Sequence, residues 1–344
     1  MSGHRTPRAA VFGCRGLYLT ESETAFFRDA DPFGFILFKR NVETPDQLSQ
    51  LTDEMRAAVG RDDVPVLVDQ EGGRVQRLGP PHWRRAPAAE RFGALWQASP
   101  AAGCEAAYLN ARLIGADLYA CGITVDCAPD ADLREPGAHD VIGDRSFGSD
   151  VDCVVALARE TARGLLDAGL LPVVKHVPGH GRVEVDSHLD LPVVNAAKAD
   201  LAARDLQVFR ELSGLPLMMT AHILFTEIDP DAPATQSARV IDGIVRAEIG
   251  FDGLLFSDDL SMNALTGSLG ERAARSLAAG VDVAVHCNGD MAEMQDVAAH
   301  VGPIAEQGWA RWQKAEATRI APVPLDEKAA LARLNELLGN RVEG

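Results

Sequence analysis

The chain has 344 residues, 47% hydrophobic and 24% charged, a balance that supports a globular core. Its 50 acids against 33 bases give a formal net charge of −17, which argues against the clustered basic surface that nucleic acid or an anionic membrane would need. None of its six cysteines forms a C-x-x-C pair, and six thiols scattered through a chain this long read as reduced rather than as a disulfide framework. No apolar run reaches the roughly 18 residues of a membrane span. The polar start Met1–Arg8 carries no signal-peptide pattern, so the chain is expected in the cytoplasm.

Eight short apolar runs follow one another: Ala9–Cys14, Phe33–Phe38, Val64–Val68, Ile123–Ala128, Leu171–His176, Leu215–Ala221, Gly253–Ser257 and Val281–Cys287. Near-continuous apolar runs of this length fit strands buried on both faces of a parallel sheet. Helical patterns fall between them. Pro45–Val59 follows Thr44, an N-cap residue with proline at the first helical position. Ala101–Ala120, Asp152–Ala168, Ala196–Glu211, Ala238–Ile249 and Gly270–Ala279 have apolar residues at helical spacing. Alternation of this kind predicts an α/β protein, a single (β/α)8 TIM barrel. Residues 1–344 are expected to form one domain, with C-terminal helices and a surface tail after about residue 290. An open doubly wound sheet would carry a glycine-rich phosphate turn after its first strand, and Gly13-Cys14-Arg15-Gly16 is not that fingerprint.

Barrel enzymes place their chemistry at the C-terminal ends of the strands. Here those ends carry Asp69-Gln70-Glu71, Asp130 and Asp132, Lys175 and His176, His222, Asp258-Asp259, and Cys287-Asn288. Single residues of this kind are usually caps or turn formers. Six strand ends together predict a site. The densest segment runs from Lys175 to His188, and Pro178, Gly179 and Gly181 mark it as a loop. Asp186 and His188 are two apart, so in an extended segment they share a side. A carboxylate beside an imidazole fixes its tautomer and makes it a usable acid–base near neutrality. Only one of the adjacent Asp258 and Asp259 can face the mouth, and spacing alone leaves open which.

The ordered stretches Gly34–Asn41, Asp69–Arg77, Ile142–Phe147, Lys175–His188, Met219–His222 and Phe256–Met262 resemble glycoside hydrolase family 3, within it the single-domain bacterial β-N-acetylhexosaminidases of cell-wall recycling. The resemblance implies that Asp258 is the nucleophile of a two-step retaining hydrolysis. It implies that His188 is the acid–base, with Asp186 as its partner. It implies that Asp69, Arg77, Arg145, Lys175 and His176 bind a terminal N-acetylglucosamine. The implied substrate is N-acetylglucosaminyl-1,6-anhydro-N-acetylmuramic acid, with or without a stem peptide. No metal and no cofactor is implied. The protein is expected to act as a monomer on this small-molecule muropeptide or amino sugar, with no nucleic-acid or membrane partner. Three positions depart from the family pattern. Val177 stands where Phe is expected, Asp130 where an apolar residue is expected, and Asn263 where Glu is more usual.

Other chemistries suit some of the same residues. A phosphorylase of the same family would use phosphate in place of water. A metal-dependent amidohydrolase could draw ligands from His176, His180, His188, His222 and Asp258, although its usual His-x-His is missing from the first strand, Val11-Phe12-Gly13-Cys14. A non-catalytic sugar-binding protein would have no need of Asp186, His188 and Asp258 together.

Overall fold

The computed structural model describes residues 6–135, 137, 140–183 and 190–339. Eight parallel strands close into the expected barrel. They are Arg8–Phe12, Pro32–Leu37, Val66–Val68, Val125–Asp126, Leu171–Val177, Leu217–Thr220, Leu254–Asp259 and Val283–His286. Each pairs with the next, and the last closes on the first. Every apolar run read from the sequence overlaps one of them. The first, third, fourth, sixth and eighth strands are shorter than their runs. The fourth stops at Asp126, close to Pro129, which has no amide hydrogen to extend a ladder.

Alternate side chains point into the barrel. Ala9, Val11, Phe33, Leu67, Val125 and Val173 belong to one buried interior cluster. The opposite set, with Ala10, Phe12, Phe35 and Leu37, packs against Leu48, Leu51 and Met55 of the helix Pro45–Val59. Burying one such large side chain is worth about 1.5–3 kcal/mol. The N-terminal end of the barrel is plugged. Trp312, on the helix Glu306–Glu316, meets Phe33 edge-on at 4.8 Å. The Ile304 N–H donates to the Pro7 carbonyl at 2.8 Å. The opposite end, where the strands finish, stays open for ligands.

The helix Pro45–Val59 has the predicted bounds. The Thr44 side chain accepts from the Gln47 N–H, and Gly60 ends the helix in the left-handed conformation. The run Ala196–Glu211 splits instead into Lys198–Ala203 and Asp205–Glu211, because the backbone turns at Arg204. Three elements go beyond the sequence reading: the helices Glu21–Ala30 and Ala89–Ala98, and a small parallel pair of Val193–Val194 with Leu224–Phe225. After residue 290 come the helices Met291–His300 and Glu306–Glu316, and the chain beyond them packs back on the barrel. It carries the helix Glu327–Leu338, whose Ala330 and Leu334 are buried in the main core cluster. No helix among the described residues is long and apolar enough to cross a membrane. All six cysteines are free.

Candidate active site

Asp69, Arg77, Arg145, Lys175, His176 and Asp258 line one cavity of about 560 Å³ at the open end of the barrel. That size falls in the range of small-molecule sites. Six residues picked from three strand ends and two loops therefore meet. Asp186 and His188 lie outside the described residues.

The loop after the third strand is built to return Arg77 to the site. Gln70 accepts from the Arg77 and Leu78 N–H groups at 2.8 and 3.1 Å and donates to the Leu78 carbonyl at 2.8 Å. The turn between them needs Gly72, whose φ of +97° is costly for a residue with a Cβ. Arg77 Nη2 thereby reaches Asp69 at 3.0 Å. On the other side, Lys175 Nζ donates to Asp69 at 2.9 Å and to Glu71 at 2.7 Å. Glu71 also takes two hydrogen bonds from Arg145, at 2.9 and 2.8 Å. Burial alone would raise the Asp69 and Glu71 carboxyls. The cations outweigh it and hold both well below the ordinary carboxylate range, Lys175 and Arg77 for Asp69, Arg145 and Lys175 for Glu71. Burial likewise works against the Lys175 ammonium, but Asp69 and Glu71 prevail and keep it charged.

The fifth strand is irregular where it delivers Lys175 and His176. Its register against the sixth strand shifts between Lys175 and Val177. A bulge of this kind re-aims side chains, and both Lys175 and His176 line the cavity. His176 Nδ1 lies 2.7 Å from Asp132. Asp132 also accepts from the backbone N–H groups of His176 and His180, the latter at 2.6 Å. Burial raises the Asp132 carboxyl to about 7, while these N–H groups favour its ionised form; ionised, it accepts from Nδ1–H and leaves Nε2 to accept. Burial lowers His176 to about 4, against Asp130 and Asp258, which favour its charged form. It is neutral at neutral pH. The His180 ring is tilted against it at 5.4 Å, and burial lowers that group to about 3.

Asp258, rather than Asp259, faces the cavity. Asp259 is used structurally. Its carboxylate accepts from the Ser261 hydroxyl at 2.5 Å and from the Cys287 N–H at 3.2 Å, tying the seventh strand end to the eighth. Its carbonyl accepts from His222 Nε2 at 3.0 Å. Asp258 makes one hydrogen bond among the described residues, accepting from the Asp259 N–H at 2.7 Å. Burial opposes its ionisation, but His176, His222 and that N–H lower its pKa. The result is an ionised carboxylate largely uncommitted to other groups, the state a nucleophile needs. Met219 and Met262 supply apolar wall beside it.

The loop beyond His176 is anchored at its near end. A Cβ at Gly181 would come within 1.7 Å of the Leu133 carbonyl, so the close approach of the two loops requires glycine there. Arg182 pairs with Asp205 at 2.7 Å. The departures from the family pattern have separate fates. Val177 is buried core, Asn263 is exposed, and Asp130 joins the site.

Glu71 and Asp132 were given no role in the sequence reading, yet they organise Lys175, Arg145 and His176. Their signal was position at a strand end; nothing local gave their partners. Of the histidines proposed as metal ligands, His176 and His180 line the cavity with Asp258, and His188 lies outside the described residues. His222 is held by Thr235 at 2.7 Å and by the Asp259 carbonyl. Asp130, Asp132 and His176 do bring ligand atoms within 4.8 Å of one another. The positive charge there comes from Arg145, 3.3 Å from Asp130.

Comparison with known proteins identifies the family. A family model described as the glycosyl hydrolase family 3 N terminal domain matches residues 21–314. A beta-hexosaminidase of Alkalilimnicola ehrlichii is 42% identical over 282 residues, 81% of this chain and 80% of that protein. A beta-hexosaminidase of Bordetella avium is 37% identical over 286 residues, 82% of this chain and 81% of that protein. The crystal structure of NagZ from Neisseria gonorrhoeae in complex with N-trifluoroacetyl-D-glucosamine has a TM-score of 0.87 at 34% identity, covering 97% of this chain and 99% of that one.

Proposed function

The chain belongs to glycosyl hydrolase family 3 and is a β-N-acetylhexosaminidase that removes terminal N-acetylglucosamine, and we propose that it does so by a retaining, two-step route on a cell-wall fragment. Asp258 attacks the anomeric carbon and forms a glycosyl ester. His188, oriented by Asp186, gives its proton to the departing oxygen, then deprotonates the water that releases the sugar. A histidine suits both tasks, since its unperturbed pKa of about 6.5 makes both forms available near neutrality. Asp69, Arg77, Arg145, Lys175 and His176 hold the hydroxyls and acetamide of the sugar. His176 accepts through Nε2.

The observation that carries this reading is the ionised, singly hydrogen-bonded Asp258 at the wall of a cavity lined by the five expected sugar holders. The test is trapping. A fluorinated N-acetylglucosaminyl donor that slows the second step should leave one sugar mass on the peptide containing Asp258. A label on another residue, or none under turnover conditions, would overturn the nucleophile assignment.

The proposed substrate is N-acetylglucosaminyl-1,6-anhydro-N-acetylmuramic acid, bare or with its stem peptide, met in the cytoplasm during wall recycling. The bound N-trifluoroacetyl-D-glucosamine of the Neisseria protein supports the sugar half of that reading. Turnover of the disaccharide compared with a plain β-glucoside tests it, and equal rates would sink it. Water is the favoured second nucleophile over phosphate. Lys175, Arg145 and Arg77 are each already paired with carboxylates, which leaves no unmatched cation for an attacking anion.

A further inference from the structure

Asp130 is a buried acid that touches the sugar-holding residues from behind. Its side chain is 1% exposed. The backbone pins it beside Lys175 through an isolated parallel bridge, with the Ala131 N–H donating to the Lys175 carbonyl at 2.7 Å. One carboxylate oxygen accepts from the Asp132 N–H at 3.0 Å. The other forms an ion pair with Arg145 Nη2 at 3.3 Å and has no hydrogen bond among the described residues. Arg145 is thus gripped on two sides. Its Nε and Nη2 donate to Glu71, and its Nη1 donates to the Val141 carbonyl at 3.4 Å. A guanidinium has five N–H groups in a fixed fork, so most of its donors are committed before any ligand arrives.

The charges balance in the same way. Arg77, Lys175 and Arg145 supply three cations around the sugar position. Asp69 and Glu71 supply two partners, and Asp130 supplies the third. Asp258 adds a further negative charge at the cavity wall. An apolar residue at position 130 would leave Glu71 as the one carboxylate partner of Arg145 among the described residues and make the site one charge more positive.

We propose that Asp130 is a positioning and specificity residue: by holding and neutralising Arg145, it makes the sugar subsite select a neutral amino sugar over one carrying a carboxylate. The inference rests on Arg145 being a sugar holder. It goes beyond that role by naming what sets the charge preference of the subsite. Asp130 itself acts through Arg145 and does not need to meet the substrate.

The test compares inhibition of nitrophenyl N-acetyl-β-glucosaminide hydrolysis by N-acetylglucosamine and by its C6-carboxylate analogue. Burial and Asp132 push the Asp130 carboxyl up to about 7, against Arg145 and His176, so the assays are run at pH 8. Asp130→Asn keeps shape and removes the charge, and Asp130→Val removes both charge and acceptor. Each is expected to shift the ratio of the two inhibition constants toward the acid on the order of tenfold or more, the effect of one charge roughly 10 Å away at an effective dielectric of about 20. KM should rise more than kcat falls. A thermal unfolding transition identifies folded protein, and if the Val variant does not fold, the Asn variant decides. An unchanged ratio in folded Asp130→Asn overturns the proposal. Arg145→Gln separates the two layers. If it weakens both inhibitors while the Asp130 variants leave the ratio alone, only the Asp130 inference falls. If it weakens neither, the sugar-holding role falls and the inference with it.

Discussion

Glu71 accepts from Arg145 on both carboxylate oxygens, at 2.8 and 2.9 Å, and one of those oxygens also takes the Lys175 ammonium at 2.7 Å. A single acid thus orients two of the cations that face the sugar. Residues from the third strand end, the loop after the fourth strand and the fifth strand are fixed relative to one another by that carboxylate. Preorganised groups of this kind spare a ligand the cost of ordering them.

Glu71→Gln should therefore harm binding without touching the reacting bond. The amide offers one acceptor where two cations need partners, and its N–H₂ would face Lys175 or Arg145. KM for the nitrophenyl glycoside should rise by about tenfold or more, the scale of one charge-assisted hydrogen bond. Steady-state kinetics checks it. A normal KM with reduced kcat would mean that Glu71 works on the chemical step instead.

Asp258→Asn should reduce kcat by a factor on the order of 10⁴, as loss of a covalent nucleophile does. Thermal stability should hold or rise, because a buried charge with one hydrogen bond is removed. Near-native turnover, or a large loss of stability, would assign Asp258 a structural role in place of the chemical one.

The barrel was legible because parallel strands buried on both faces leave apolar runs that need no partner to be recognised. The helix Pro45–Val59 was legible because Thr44, Pro45 and Gly60 mark its ends locally. Ala89–Ala98 starts at Ala88, which provides no side-chain cap, and so it left no signal. The site divides the same way. Strand-end position exposed Asp69, Lys175, His176 and Asp258. Alternation said that one of Asp258 and Asp259 faces inward, but the choice depends on Ser261 and Cys287, which hold Asp259 outside the cavity. Glu71 pairs with partners 74 and 104 positions away, and no local pattern records that. Arg145 sits in a loop, and only the family motif pointed to it.

His188→Ala should slow poor leaving groups far more than activated ones, by about 10²–10⁴-fold against a small loss for nitrophenol. Comparing the natural disaccharide with a dinitrophenyl glycoside checks this, and equal losses would remove the acid role. The near end of its loop offers a second handle. Asp205 holds Arg182 at 2.7 Å, so Asp205→Asn should loosen the anchor and copy a weaker form of the same leaving-group dependence. A variant that lost activity equally on both substrates would show that the anchor does not serve His188.

The depressed Glu71 carboxyl also has a stability signature, and its sign is fixed. Its ordinary value of 4.5 falls to about 2 in the folded protein, where burial opposes ionisation and Arg145 and Lys175 overcome it. Between those values the unfolded chain holds more protons at this site than the folded one, so stability rises with pH across the window. The contribution is complete above the unfolded value and drains away as the pH falls through the folded one. Removing one partner of a buried pair costs about 3–5 kcal/mol. Glu71→Gln should therefore be less stable than the parent by several kcal/mol at pH 6, measured by urea unfolding. The other carboxylates are common to both proteins and cancel in the difference. The gap should narrow steadily from pH 4.5 downward. A gap of constant size down to pH 3 would mean that the Glu71 charge adds nothing to folding, and that its grip on Lys175 and Arg145 serves the ligand alone.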